Sequence, residues 1–188
     1  MNKAETIPKF VSINIAILSV SDSRTIKEDR SGDLLVNRLT KAGHDLADRE
    51  ILTDDAALIR TKFTQWINDP KIDVIISTGG TGVTGRDVTP EALEAVAEKN
   101  IPGFGELFRW ISYKKIGPST IQSRACAGVA KGTYLFILPG SPGACKDAWD
   151  EILVHQLDNR FKPCNFVELM PRLQENRPEG HENRTDIE

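Results

Sequence analysis

Asp73-Val-Ile-Ile-Ser-Thr-Gly-Gly-Thr-Gly-Val-Thr-Gly-Arg-Asp-Val-Thr-Pro90 is the stretch whose reading decides the fold. Val74-Ile75-Ile76 is a short apolar run of the kind that forms a buried strand. Gly79, Gly80, Gly82 and Gly85 follow, and glycine adopts positive φ without steric cost, so a tight loop is expected. Thr89-Pro90 is expected to cap a helix over Glu91 to Glu98, with proline in its first turn. Strand, glycine loop and helix start together make an anion site of exposed N–H groups and positive dipole end. Asp87 sits inside that loop and would repel a phosphate unless a cation lay between them. The combination points to a metal-bridged phosphate ligand.

Gly80-Thr-Gly82-Val-Thr-Gly85 also matches G-x-G-x-x-G, but its surroundings argue against a dinucleotide site. That fingerprint starts its helix within the glycines and wants an acid ending a second strand about 20 residues on. Here the first turn waits for Pro90, and Ile101-Pro-Gly-Phe-Gly-Glu106 cannot be a buried strand. No Gly-Lys-[Ser/Thr] follows, so the case for a P-loop is weaker still.

Outward from this junction, Ile13 to Val20 is almost continuously apolar, as a strand covered on both faces must be. Ser21-Asp22-Ser23-Arg24 ends it, and a polar loop leads to a helix over Asp33 to Thr40, stopped by Gly43. His44 to Leu52 reads as a weaker strand. Asp54 or Asp55 then caps a helix over Ala56 to Ile67, whose apolar residues fall at helical spacing. Phe104 to Ile116 reads as helix, with Phe104, Leu107, Phe108, Trp110 and Ile111 apolar on more than one face; core burial and a subunit interface both account for them. Ala127 to Lys131 and Thr133 to Leu138 read as a hairpin turning at Lys131-Gly132. Ser141-Pro142 caps a last helix to about Leu157, either as ordinary capping or as a second anion cradle. Alternating elements imply an α/β sandwich with a mostly parallel sheet and one antiparallel edge strand. Ligands bind at the carboxyl ends of parallel strands, where the three polar loops converge.

The chain has 188 residues, enough for one domain with its own core. A net charge of −3 gives no basic face for nucleic acid, and 6% aromatic content offers few stacking platforms. No apolar run approaches a membrane span. Met1 to Pro8 lacks the apolar segment of a signal peptide. Cys126, Cys145 and Cys164 form no C-x-x-C pair and read as free thiols, so a cytoplasmic protein is expected. Gln122-Ser123-Arg124 reads as a solvated turn. No Ser/His/Asp arrangement emerges, because His44 opens a strand, His155 lies on the last helix and His181 is in a polar tail from Pro171 to Glu188.

Ser77-Thr-Gly-Gly-Thr-Gly82 with Arg86-Asp-Val-Thr-Pro90 resembles the MoaB/MogA family of molybdenum cofactor biosynthesis proteins, related to the plant Cnx and animal gephyrin G domains. Ile17 to Asp22, Gly103 to Glu106, Ser123-Arg124 and Leu138 to Ser141 extend the resemblance in the family's order, over residues 10–168. Glu28-Asp-Arg-Ser-Gly32 and Lys162-Pro-Cys-Asn-Phe166 look more like MoaB than MogA. The resemblance implies a three-layer α/β/α sandwich of the molybdopterin-binding type, assembled as a trimer or hexamer. It implies a Mg²⁺-dependent adenylylation of molybdopterin by ATP, releasing pyrophosphate, with the product passed to a molybdate-inserting protein. A non-catalytic molybdopterin-binding or scaffold protein of that pathway is the alternative. Carried over residue by residue, Asp54 and Asp87 are the acidic pair that positions metal. Thr78, Gly79, Gly80, Thr81 and Gly82 hold nucleotide phosphate, while Asp22, Ser23, Glu106, Ser123, Pro139, Gly140 and Ser141 line the pterin and nucleotide pocket.

Overall fold

The computed structural model describes residues 8–175. A six-stranded sheet runs in the order β2-β1-β3-β6-β5-β4. Its strands are β1 (Asn14–Val20), β2 (Asp45–Leu52), β3 (Val74–Thr78), β4 (Lys99–Asn100), β5 (Cys126–Ala130) and β6 (Thr133–Leu138). The pairings β2-β1, β1-β3 and β3-β6 are parallel, and β5 runs antiparallel to both β6 and β4. The expected mixed sheet is therefore present. Its one reversed strand lies one place in from the edge, because β4, too short to carry a sequence signal, pairs outside it.

Alternation along the central strands divides the core between two faces. Ile15 and Ile17 of β1 and Phe136 and Leu138 of β6 pack with Leu35, Leu39, Phe104, Phe108 and Trp149. These come from α1 (Arg30–Ala42), α4 (Pro102–Ile116) and the start of a π-helical turn, Trp149–Leu153. Ala16, Leu18, Leu135 and Ile137 face the other way onto Ile59, Phe63, Trp66 and Leu93, from α2 (Ala56–Ile67) and α3 (Thr89–Glu94). Each such fully buried side chain contributes roughly 1.5–3 kcal/mol of transfer free energy. Helices cover both faces, which gives three α/β/α layers. The chain leaves β1 toward β2 on one side and reaches β3 on the other, so β1 and β3 flank the point where strand order reverses.

Three helix boundaries differ from the sequence reading. Helix α1 starts at Arg30 rather than Asp33, because the Asp29 carboxylate caps it by accepting from the Gly32 N–H. Helix α3 ends at Glu94 rather than Glu98, and its cap is Val88, not Thr89. The last helix breaks into α5 (Pro142–Ala148), the π-helical turn and α6 (Val154–Gln156). The Lys131-Gly132 turn is as expected, with φ of 48° and 90°. From Pro171 the expected tail first makes a turn that packs Leu173 against the core and lets Gln174 donate to the Lys131 carbonyl; the rest of it lies outside the described residues, as does the Met1–Ile7 start.

Candidate active site

Thr78 closes β3 level with Ser19 of β1 and Leu138 of β6, so the segments that follow these strands emerge at one sheet edge. There they enclose a pocket of about 670 Å³ lined by Ser21 to Arg24, Asp54, Gly79 to Gly82, Asp87, Gln122, Ser123 and Pro139 to Pro142. The convergence expected from parallel-strand topology is thus present.

The glycine loop is held by its neighbours on every side. The Gly79 N–H donates to the Leu138 carbonyl at 3.0 Å. The Thr78 hydroxyl donates to the Pro139 carbonyl at 2.9 Å, and the Thr89 hydroxyl to the Gly79 carbonyl at 2.9 Å. Arg124 clamps the far end, donating to the Gly82 and Asp87 carbonyls at 2.6 Å each and pairing with Glu91. Arg124 is therefore a structural part of the loop, not a solvated turn. Gly79 and Gly80 adopt φ of 107° and 62°, whereas Gly82 and Gly85 do not need positive φ. At Gly79 a Cβ would meet the Val20 carbonyl oxygen at 2.1 Å.

The other two glycines make room for acids. A Cβ on Gly80 would lie 2.7 Å from Asp54 Oδ1, and one on Gly82 would lie 2.7 Å from Asp87 Oδ2. The loop is thus shaped around the two carboxylates that the sequence reading selected. Asp87 Oδ2 accepts from the Thr84 N–H at 2.9 Å and its hydroxyl at 2.6 Å. These bonds hold its carboxyl below the usual range despite some burial. Asp22 is gripped by the Arg86 guanidinium, with Nη2 at 2.6 Å from Oδ1 and Nε at 3.0 Å from Oδ2, and its pKa is lowered by that bond first. Asp22 also accepts from the Asp54 N–H at 3.1 Å.

Asp54 stands apart. Among the described residues its half-buried carboxylate accepts no hydrogen bond, and burial first, then the Asp22 and Asp87 charges, raise its pKa. An acid placed against two others without a donor is one that a bound cation would stabilise in its charged form. Also among the described residues, no three His, Cys, Asp or Glu side chains converge into a cage for a metal. One or two carboxylates with open positions suit a Mg²⁺ whose shell is completed by phosphate and water. Asp55, not Asp54, is the cap of α2, accepting from Ala57 and Leu58.

Two predicted site residues lie elsewhere. Thr78 is buried beneath the loop and does not line the pocket. Glu106 faces a neighbouring pocket of about 490 Å³ shared with Glu94, Arg109 and Cys126; Ser123 lines both. The anion site expected at the start of α3 is also weakened, since that helix has six residues and little dipole. What remains is backbone: among the described residues the Gly80 and Thr81 N–H groups donate to no protein acceptor. Buried Cys145 Sγ lies 3.0 Å from the Thr78 hydroxyl, and burial pushes its thiol up to about 11, so it is no thiolate nucleophile.

Sheet order, layers and the strand-end pocket are those of the molybdopterin-binding α/β fold. Residues 16–159 match the family described as "Probable molybdopterin binding domain". The chain belongs to that family. It is 44% identical over 158 residues to molybdenum cofactor biosynthesis protein B of Escherichia coli K12, spanning 84% of this chain and 93% of that protein. A crystal structure of molybdenum cofactor biosynthesis protein B superposes with a TM-score of 0.76 at 40% identity, covering 78% of this chain and 92% of the other. The tungsten cofactor synthesizing protein MoaB from Pyrococcus furiosus superposes with a TM-score of 0.68 at 33% identity, covering 76% and 91%.

Proposed function

We propose that this protein acts in molybdenum cofactor biosynthesis as a molybdopterin adenylyltransferase, joining AMP from ATP to the terminal phosphate of molybdopterin. The names of its relatives support the pathway. The observation that carries the chemistry is the undonated Asp54 carboxylate beside Asp22, Asp87 and the glycine loop.

The reaction asks little of the protein as base or nucleophile. A molybdopterin phosphate oxygen, already anionic, forms a bond to the α-phosphorus of ATP. The bond from that phosphorus to the bridging oxygen breaks, and pyrophosphate leaves with the electron pair. The obstacle is holding two polyanions in line and stabilising charge at the α-phosphate. Asp54 and Asp87 would hold Mg²⁺, which supplies that charge neutralisation when bound with the nucleotide. The Gly80 and Thr81 N–H groups, without a protein acceptor among the described residues, are the backbone donors that would meet phosphate oxygens, and Arg124 holds the loop through the Thr81, Gly82 and Asp87 carbonyls. Arg86 keeps Asp22 turned toward itself, which leaves Asp54 and Asp87 as the acids for the cation.

Free Cys126, Cys145 and Cys164 suit a reducing cytoplasm, and among the described residues no helix is long and apolar enough to cross a membrane. Trp110, Tyr113, Ile116 and Ile121 are exposed on and just after α4, and they support a homo-oligomer, trimer or hexamer, closing over this side. The adenylylated product would pass to the pathway's molybdate-inserting protein. Incubation with molybdopterin, Mg²⁺ and ATP tests the reading. Adenylylated pterin and pyrophosphate from the native chain, and neither from Asp87→Ala, are expected. Pterin bound without product would instead assign a non-catalytic molybdopterin-binding role.

A further inference from the structure

Beside the acidic pocket lies a second depression of about 540 Å³, lined by Ser23, Arg24, Lys27, Glu28, Arg30 and Pro142. It shares Ser23, Arg24 and Pro142 with the pocket that holds Asp22, Asp54 and Asp87, so the two adjoin along those residues. The charges along them are segregated. Asp22, Asp54 and Asp87 line the first, Lys27 and Arg30 the second, and Arg24 stands where they meet.

Among the described residues none of these three cations pairs with a carboxylate. Glu28, the one acid there, is turned back to accept from the Thr25 N–H at 3.3 Å and its hydroxyl at 3.0 Å. Arg24 donates weakly to the Gly140 carbonyl at 3.3 Å and keeps other N–H groups free. In a chain of net charge −3, a concave surface with three unpaired cations and one acid is a local reversal of sign.

We propose that this basic depression is a polyphosphate subsite, which takes the β- and γ-phosphates of the nucleotide and retains them as pyrophosphate once the α-phosphorus has been transferred. This rests on the proposed adenylyl transfer for the identity of the nucleotide. The anion-binding surface stands on its own charges. Three separate cations offer contacts to more than one phosphate group, which a di- or triphosphate supplies and a monoester does not. The two depressions would then order the reaction by charge: Asp54 and Asp87 would hold the cation that neutralises the α-phosphate, and Arg24, Lys27 and Arg30 would take the departing polyanion, where negative charge grows.

Lys27 and Arg30 are exposed and make no side-chain hydrogen bond among the described residues, so Lys27→Gln/Arg30→Gln tests the subsite without disturbing the core. Calorimetric titration with inorganic tripolyphosphate in Mg²⁺ buffer is expected to show binding to the native chain. The double variant should bind about 10-fold or more weakly, in line with losing two charge-assisted contacts. AMP affinity should be the same in both proteins, and inorganic monophosphate should bind neither appreciably. Equal tripolyphosphate affinity in the two proteins, or none in the native chain, overturns the subsite. Tripolyphosphate binding with no adenylylated pterin from the native chain overturns the adenylyl transfer and leaves an anion-binding depression.

Discussion

Asp29 and Asp54 follow neighbouring parallel strands, β1 and β2, at the same edge of the sheet, yet the fold treats them in opposite ways. Asp29 is 1% exposed and fully served. The Ser19 hydroxyl donates to it at 2.6 Å, the Gly32 N–H at 2.9 Å and the Arg49 guanidinium at 3.0 Å. Burial alone would raise its pKa, but these donors together hold it below the usual range. Asp54 has burial and two neighbouring acids and no donor among the described residues, so its pKa goes up. A carboxylate the fold satisfies on both oxygens, as it does Asp29, is architecture. One it leaves short of a donor is poised for a ligand.

Removing the served acid should have the largest effect on stability. Asp29→Ala uncaps α1 and leaves Arg49 with Asp33 as its remaining carboxylate partner, and a loss of about 3 kcal/mol in urea unfolding is expected from the cap and the lost charge-assisted bond. Asp54→Asn should lower product formation about 100-fold or more, equivalent to about 2.7 kcal/mol, while the protein melts no lower than the native chain. A large drop in melting temperature for Asp54→Asn would erase the contrast. Gly32→Ala sharpens it from the backbone side, because the new methyl would fall 2.0 Å from Asp29 Oδ2. A loss of about 2 kcal/mol by the same unfolding assay is expected, as for other overpacked sites.

Asp55→Ala should cost only about 1 kcal/mol, the ordinary worth of an exposed helix cap. The smallest effect is in the pH dependence, and its sign differs between the two acids. The lowered pKa of Asp29 means that its stabilisation is present above its unfolded value and lost as pH falls through the native one. The raised pKa of Asp54 means the reverse: protonated Asp54 favours the fold at low pH, and that contribution is lost as pH rises through its native value. Asp54→Asn should therefore gain stability relative to the native chain as pH rises from about 4, and the deficit of Asp29→Ala should shrink as pH falls below about 4, in melts on both sides of that value.

The sequence disclosed the convergence of loops because apolar runs and glycine clusters are local signals. Val74 to Thr78 and Gly79-Gly80 are legible for that reason, and so are Asp54 and Asp87 as acids near the loop. Asp29 was hidden by Gly32, whose low helix propensity made α1 read as starting later; the structure needs glycine there to admit the carboxylate. The grips of Arg86 on Asp22 and of Arg124 on Gly82 join residues 64 and 42 positions apart, and no local pattern reports such pairs. Glu106 fell in the neighbouring pocket because sequence order does not say on which side of Ser123 a residue of α4 will lie.

The most direct test is to measure, on the same preparations at pH 7, the melting temperature and the Mg²⁺- and ATP-dependent adenylylation of molybdopterin for the native chain and Asp54→Asn. An Asp54→Asn protein that melts at or above the native temperature and forms almost no product is the predicted result. One that melts lower and still forms product at the native rate would contradict the assignment of Asp54 as an acid held open for a ligand.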